Sequence, residues 1–227
     1  MRRFLTTILL ALGCVLAVAP AAHAQSLLFD YVGFDYESPN PDPLQFGEAG
    51  SGYVGLGTVP FLFAPLTSNT TTNEYTYVMN GLTPSGPPQV FGQFRIISYS
   101  TGTITLYEDA LLGGTTADFG TNPPSPLAPA TFTDGTPILV GTLTNFQFVY
   151  DTSAGSGSFE AVFNVTGGTQ LVNFPLNQRK GWTFSGATNN ALNIPAGYAH
   201  QIDGQTFLDA PSAARRTSWG QLKAGYR

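Results

Sequence analysis

Phe146-Gln-Phe148-Val-Tyr150-Asp151-Thr-Ser-Ala-Gly-Ser-Gly157-Ser-Phe159-Glu-Ala161-Val-Phe163-Asn-Val165 is the stretch that decides the fold class. Phe146, Phe148 and Tyr150 recur with period two. After a Gly/Ser-rich turn the same period returns in Phe159, Ala161, Phe163 and Val165. Alternation of this kind is the mark of a half-buried strand, and two such runs around a glycine-containing turn predict a β-hairpin with its aromatic rings on one face. The glycines supply the positive φ that the turn requires.

Working outward, the same period recurs almost everywhere. Phe94 and Ile96 alternate with Arg95 and Ile97, Ser100-Thr101-Gly102 reads as a turn, and Thr103, Thr105 and Tyr107 alternate with Ile104 and Leu106, which predicts a second hairpin. Further strands are expected at 26–36, 53–63, 74–79, 136–143, 170–174 and 205–208. Between them lie proline-rich loops at 38–43, 83–88 and 122–129. No long segment keeps helical spacing, and Thr, Gly and Pro recur too often to permit one. Many short strands with regular turns predict an all-β fold, an antiparallel β-sandwich or jelly roll, in a single domain over 25–210. An outer-membrane barrel also uses strands and aromatics, but the proline-rich interruptions and the basic last residue count against it.

The N-terminus carries a different signal. Arg2-Arg3 precedes a largely apolar run from Phe4 to Val18, followed by Pro20 and Ala21-Ala22-His23-Ala24. A basic start, a short apolar stretch and an A-x-A site read as a cleavable signal peptide over 1–24, cut between Ala24 and Gln25, and hence as a secreted or cell-surface protein with no transmembrane span in the mature chain. Gly13-Cys14 is a weaker match to a lipoprotein processing site than the later alanines are to a cleavage site. Cys14 is the only cysteine, so the mature domain has no disulfides and no thiolate metal site. Its stability is expected to come from packing, with a hard cation as the remaining candidate contribution.

Loss of Arg2 and Arg3 with the leader takes the formal charge from −5 to −7. An acidic, sparsely charged chain argues against a nucleic-acid partner, since phosphates need a basic surface. Four of the seven mature basic residues, Arg215, Arg216, Lys223 and Arg227, fall in a tail over 211–227. That tail reads either as a frayed terminus or as a sorting tag.

Residues of about 90–209 resemble the exported bacterial domains of PEP-CTERM and other choice-of-anchor proteins. The matching features are Leu106-Tyr107-Glu108-Asp109, Phe132-Thr-Asp134-Gly135, Gly157-Ser-Phe159 leading to Asn164-Val-Thr166-Gly167-Gly168, and Pro195-Ala-Gly197-Tyr198 before Ile202-Asp203-Gly204. The chain lacks the Pro-Glu-Pro anchor of that family. The resemblance implies an exported envelope or matrix protein.

The residues themselves offer candidates for four chemistries. Calcium wants six to eight oxygens, and Glu108, Asp109 and Asp118 form an acidic group that ends a strand beside a glycine-containing loop, with Asp109 the leading ligand candidate. Paired carboxylates cleave glycosidic bonds, and Glu74, Glu108 and Glu160 sit in or at the ends of strands. A Ser-His-Asp arrangement would have to use His200, which no Gly-x-Ser-x-Gly elbow accompanies, so His200 reads as a loop hydrogen-bonder beside Asp203-Gly204. Aromatic rings stack on sugar faces, and Trp182, beside Arg179-Lys180-Gly181, together with Tyr198, is the candidate ligand-binding pair. The expected role is structural, adhesive or glycan-binding without catalysis, with a polysaccharide or another envelope component as partner. The alternative is a secreted glycan-active hydrolase.

Overall fold

The computed structural model describes residues 25–120, 125–190 and 193–208. The leader, its cleavage position after Ala24 and the basic tail lie outside them. Ten strands follow in chain order: β1 (Ser26–Ser38), β2 (Gly52–Leu62), β3 (Asn73–Leu82), β4 (Gln89–Phe91), β5 (Phe94–Ser98), β6 (Gly102–Ala110), β7 (Thr136–Asp151), β8 (Ser156–Gly167), β9 (Trp182–Asn189) and β10 (His200–Leu208). They fall in one compact unit, Ser26–Asp209. Their pairings are all antiparallel.

The fold is all-β, as expected, but the sheet closes. Neighbours run β7-β6-β3-β2-β1-β10-β9-β8, and β8 pairs back onto β7, so eight strands form a barrel where two facing sheets with separate edges were expected. Alternation along one strand reports that one face is buried; it carries no information on whether that face looks at a second sheet or across a lumen. The aromatic hairpin is β7–β8, paired from Asp151↔Ser156 to Val140↔Gly167, and its first strand is longer than predicted because 136–143 and 146–150 are one strand.

The second expected hairpin is not one. β5 and β6 do not pair with each other; both lie along β7, β5 through Ser98↔Gln147 and β6 through Gly102↔Leu143. Tyr99 bridges them by donating its N–H to the Phe146 carbonyl at 2.9 Å, so Ser100-Thr101-Gly102 is a kink in one extended run. Opposite the kink Asn145 takes a positive φ of 56°, a conformation that Asn tolerates better than most residues. At this kink the sheet divides: β6 continues to β3 and the barrel, while β5 carries β4 away from it.

The expected strand at 170–174 is a 3-10 turn, Thr169–Asn173. Gln170 explains the change. Its side-chain amide accepts from Thr67 N and donates to Thr67 O, at 2.8 and 2.7 Å, so a side chain makes the paired bonds that a strand backbone would have made.

Rings fill the lumen: Phe29, Tyr31, Tyr53, Tyr77, Phe148, Phe159, Phe163, Trp182 and Phe184 are among its buried residues. Packed interiors of this kind suit eight-stranded barrels. Outward positions such as Thr103, Thr105, Ser158, Glu160, Thr183 and Gln205 are polar and at least partly exposed. This alternation is opposite to that of a lipid-embedded barrel. No helix among the described residues is long and apolar enough to cross a membrane. One outer patch, Tyr36, Val54, Leu56 and Val78, is covered by Phe119, Phe132 and Tyr198 from the loops, which makes a second, smaller core outside the wall.

Candidate functional site

β7, β8, β9 and β10 present a polar cleft of about 510 Å³ on their outer face. Strand register builds it. Gln147 lies opposite Glu160, Glu160 opposite Ser185, and Ser185 opposite Gln205, which gives one polar row across four strands. A neighbouring row holds Val149, Ser158 and Asp203, which also line the cleft. The row residues point outward because they alternate with the lumen rings Phe146, Phe148, Phe159 and Phe184. Two carboxylates, two primary amides and two hydroxyls converge there, with no basic residue in the lining.

The cleft floor is held from inside. Gly186 and Gly204 face each other across β9 and β10, and both would point a side chain into the lumen. Their missing side chains admit Tyr31, whose ring stacks on Phe184 at 4.8 Å with parallel planes. Its hydroxyl donates to the Ser185 carbonyl at 2.9 Å. Burial pushes the Tyr31 phenol well above its ordinary range, so it stays a donor. The site's backbone is therefore anchored by a buried ring, as a recognition surface needs.

A second polar cluster lies on the opposite, inward face at one barrel mouth. Asp35 Oδ1 lies 3.0 Å from the His200 backbone N–H that donates to it and 2.9 Å from ring Nδ1; Tyr53 donates to Oδ2 at 2.9 Å. Asp35 and His200 are both fully buried. His200 is thus a strand residue inside the barrel, correcting its reading as a loop hydrogen-bonder. Beside it, Glu37 accepts from Ser51, from Tyr99 and, with both oxygens, from the Gly47 N–H at 2.9 Å. Burial raises the Glu37 carboxyl above its usual value, outweighing those hydrogen bonds, which lower it. The segment between β1 and β2 thereby plugs the mouth, with Phe46 edge-on to Tyr53 and His200 and its carbonyl accepting from Arg95 at 3.0 Å. This arrangement fixes the plug, and its Asp35, Glu37 and His200 side chains are fully buried.

The residues singled out from the sequence fall elsewhere. Trp182 is fully buried between Phe163 and Phe174 and donates its indole N–H to the Gln178 carbonyl, so its faces are not offered to a sugar. Tyr198 is 7% exposed, packs on Phe34 and Phe119, and donates to the Phe119 carbonyl at 2.9 Å. Its role is to fasten the loop cover.

Glu108 Oε1 accepts from Asn73 and from Tyr75, the latter at 2.7 Å. Asp109 accepts from the next backbone N–H, Ala110, at 2.8 Å, and Asp118 closes a turn onto Gly120. Among the described residues no three His, Cys, Asp or Glu gather as a metal site. Of Glu74, Glu108 and Glu160, only Glu160 lines the cleft, where Asp203 of β10 joins it. Gln147, Ser158, Ser185 and Gln205 carried no sequence signal beyond their outward phase.

No family model matches the chain, and neither a curated protein nor a solved structure matches it.

Proposed function

We propose that this chain is an exported surface or matrix protein that binds glycan on the outer face of β7–β10 and performs no catalysis. The observation that carries this reading is the cross-strand row Gln147, Glu160, Ser185 and Gln205, with Asp203 beside it, in a cleft walled by paired strands. Amides and carboxylates offer both donors and acceptors to sugar hydroxyls, and strands hold them in place better than loops would. The barrel lumen is packed with rings, which supports an outer-face site for the ligand. Export rests on the leader over 1–24, and the envelope setting on the resemblance to choice-of-anchor domains.

Affinity electrophoresis through gels containing neutral polysaccharides tests the reading. Retardation that is lost in Gln147→Ala and Gln205→Ala, with unfolding curves unchanged, supports it. Wild type running unretarded in every gel overturns it.

The hydrolase reading has one observation of its own, the sharing of the cleft by Glu160 and Asp203. Their Cα atoms are two strands and two residues apart, about 12 Å from strand spacing and rise. A retaining pair needs carboxyls about 5 Å apart, so both side chains would have to lean together. Release of reducing sugar, abolished in Glu160→Gln, would establish hydrolysis in place of simple binding.

A further inference from the structure

Apolar residues lead out of the polar cleft along the same outer face. Val149, in the cleft lining, pairs with Ile96 on β5, and one step along that strand's outer face is Phe94, which pairs with Phe91 on β4. Phe91 and Phe94 are 61% and 42% exposed, while the inward phase of β5 is taken by Arg95 and the buried Ile97. The two rings flank the Gly92-Gln93 turn, where Gly92 supplies a φ of 62°. Directly opposed in the β4–β5 register, they place two exposed rings on one face of the hairpin. Nothing in the barrel core uses these rings.

We infer that the Phe91–Phe94 pair is a stacking platform for the same ligand, and that the ligand is a neutral polysaccharide long enough to reach from the cleft to β4. This deepens the glycan reading and rests on it. Pyranose rings have an apolar face that lies on a phenyl ring and an edge of hydroxyls that needs amides and carboxylates, and the two surfaces here adjoin in that order. From Glu160 to Phe94 is two strands and four residues, about 16 Å from strand spacing and rise, so one or two sugars cannot touch both. The charge pattern selects a neutral chain. Glu160 and Asp203 line the cleft, Asp151 pairs with Phe94, and no Lys or Arg lines the cleft to offset a uronate or sulfate.

The test uses the full mature chain and, as probes, a disaccharide and a hexasaccharide of whichever neutral polysaccharide retards it, read by titration calorimetry. The hexasaccharide is expected to bind about tenfold tighter than the disaccharide, the increment that one or two stacked rings give. Phe91→Ala and Phe94→Ala should each erase most of that difference and leave the disaccharide affinity unchanged. Both side chains are exposed, so near-UV circular dichroism should be unaltered.

A length advantage that survives both substitutions overturns the platform and leaves the cleft standing. Tighter retention by alginate or another polyanion overturns the neutral ligand. Absence of retention by every polysaccharide removes the parent reading and this one with it.

Discussion

Asp35 Oδ1 is shared by the backbone N–H and the ring Nδ1 of His200, at 3.0 and 2.9 Å, across the β1–β10 pairing. Both side chains are fully buried, and Tyr53 occupies the other carboxylate oxygen at 2.9 Å. The contact selects the imidazole tautomer protonated at Nδ1. It also joins residues 165 apart in sequence, one from β1 and one from β10, across the seam between the first and last described strands.

Asp35→Ala orphans three buried donors, the His200 ring Nδ1 and backbone N–H and the Tyr53 hydroxyl, and is expected to cost about 3–5 kcal/mol. His200→Ala is expected to cost less, because Asp35 keeps the backbone N–H of residue 200 and Tyr53. The double variant should lose clearly less than the sum, because each single change already breaks the shared contact. Urea denaturation of the three variants measures this. Additive losses would mean that the two groups do not stabilise each other.

Gly204 has a different dependence on its neighbours. A Cβ there would stand 2.3 Å from Tyr31 Oη and 2.4 Å from the Ser185 carbonyl oxygen, and the second of these is backbone that cannot swing aside. Gly204→Ala is expected to destabilise by about 1–3 kcal/mol through overpacking. A companion Tyr31→Phe should recover only part of this, since the Ser185 contact remains. Thermal unfolding reads both. An unchanged midpoint in Gly204→Ala would show that the β9–β10 wall is loose enough to shift.

How much of this was legible in the sequence depends on which property is asked for. Period-two alternation located β1, β2, β3 and the β7–β8 hairpin and put Phe146, Phe148 and Phe159 inside, because alternation is a local consequence of the pleat. Closure and the split at Tyr99 were not legible, since partner choice depends on contacts such as Asp35 to His200 that no window contains. Trp182 shows the same limit at a single residue. Its polar neighbours Arg179, Lys180 and Gly181 read as surface, yet β9 places its ring inward. Asp203 and Gln205 came to the site through register alone.

Glu37 gives the barrel a pH dependence of definite sign. Burial raises its carboxyl in the folded state above the ordinary value near 4.5. A raised folded value means that the folded chain holds the proton more tightly than the unfolded chain. The stability it contributes is therefore full below the unfolded value and is lost as pH rises through the folded one. Glu37→Gln mimics the protonated side chain and should remove this slope. The difference in unfolding free energy between wild type and Glu37→Gln, followed upward from pH 4, should move in favour of the variant. A difference that stays flat would mean that Glu37 titrates at its ordinary value.

Trp182 separates a core residue from a ligand contact. Its ring is fully buried against Phe163 and Phe174, and its indole donates to the Gln178 carbonyl. Trp182→Ala is expected to cost about 3–5 kcal/mol, the usual loss for truncating a buried large aromatic. Trp182→Phe keeps most of the packing and leaves the Gln178 carbonyl without its donor, so a smaller loss is expected, about 1–3 kcal/mol. In Trp182→Phe, polysaccharide retention should equal that of wild type, because β9 presents Ser185 to the cleft and keeps Trp182 behind it. Weakened retention in this variant, with a cooperative unfolding transition intact, would return Trp182 to the binding site and displace the outer cleft from it.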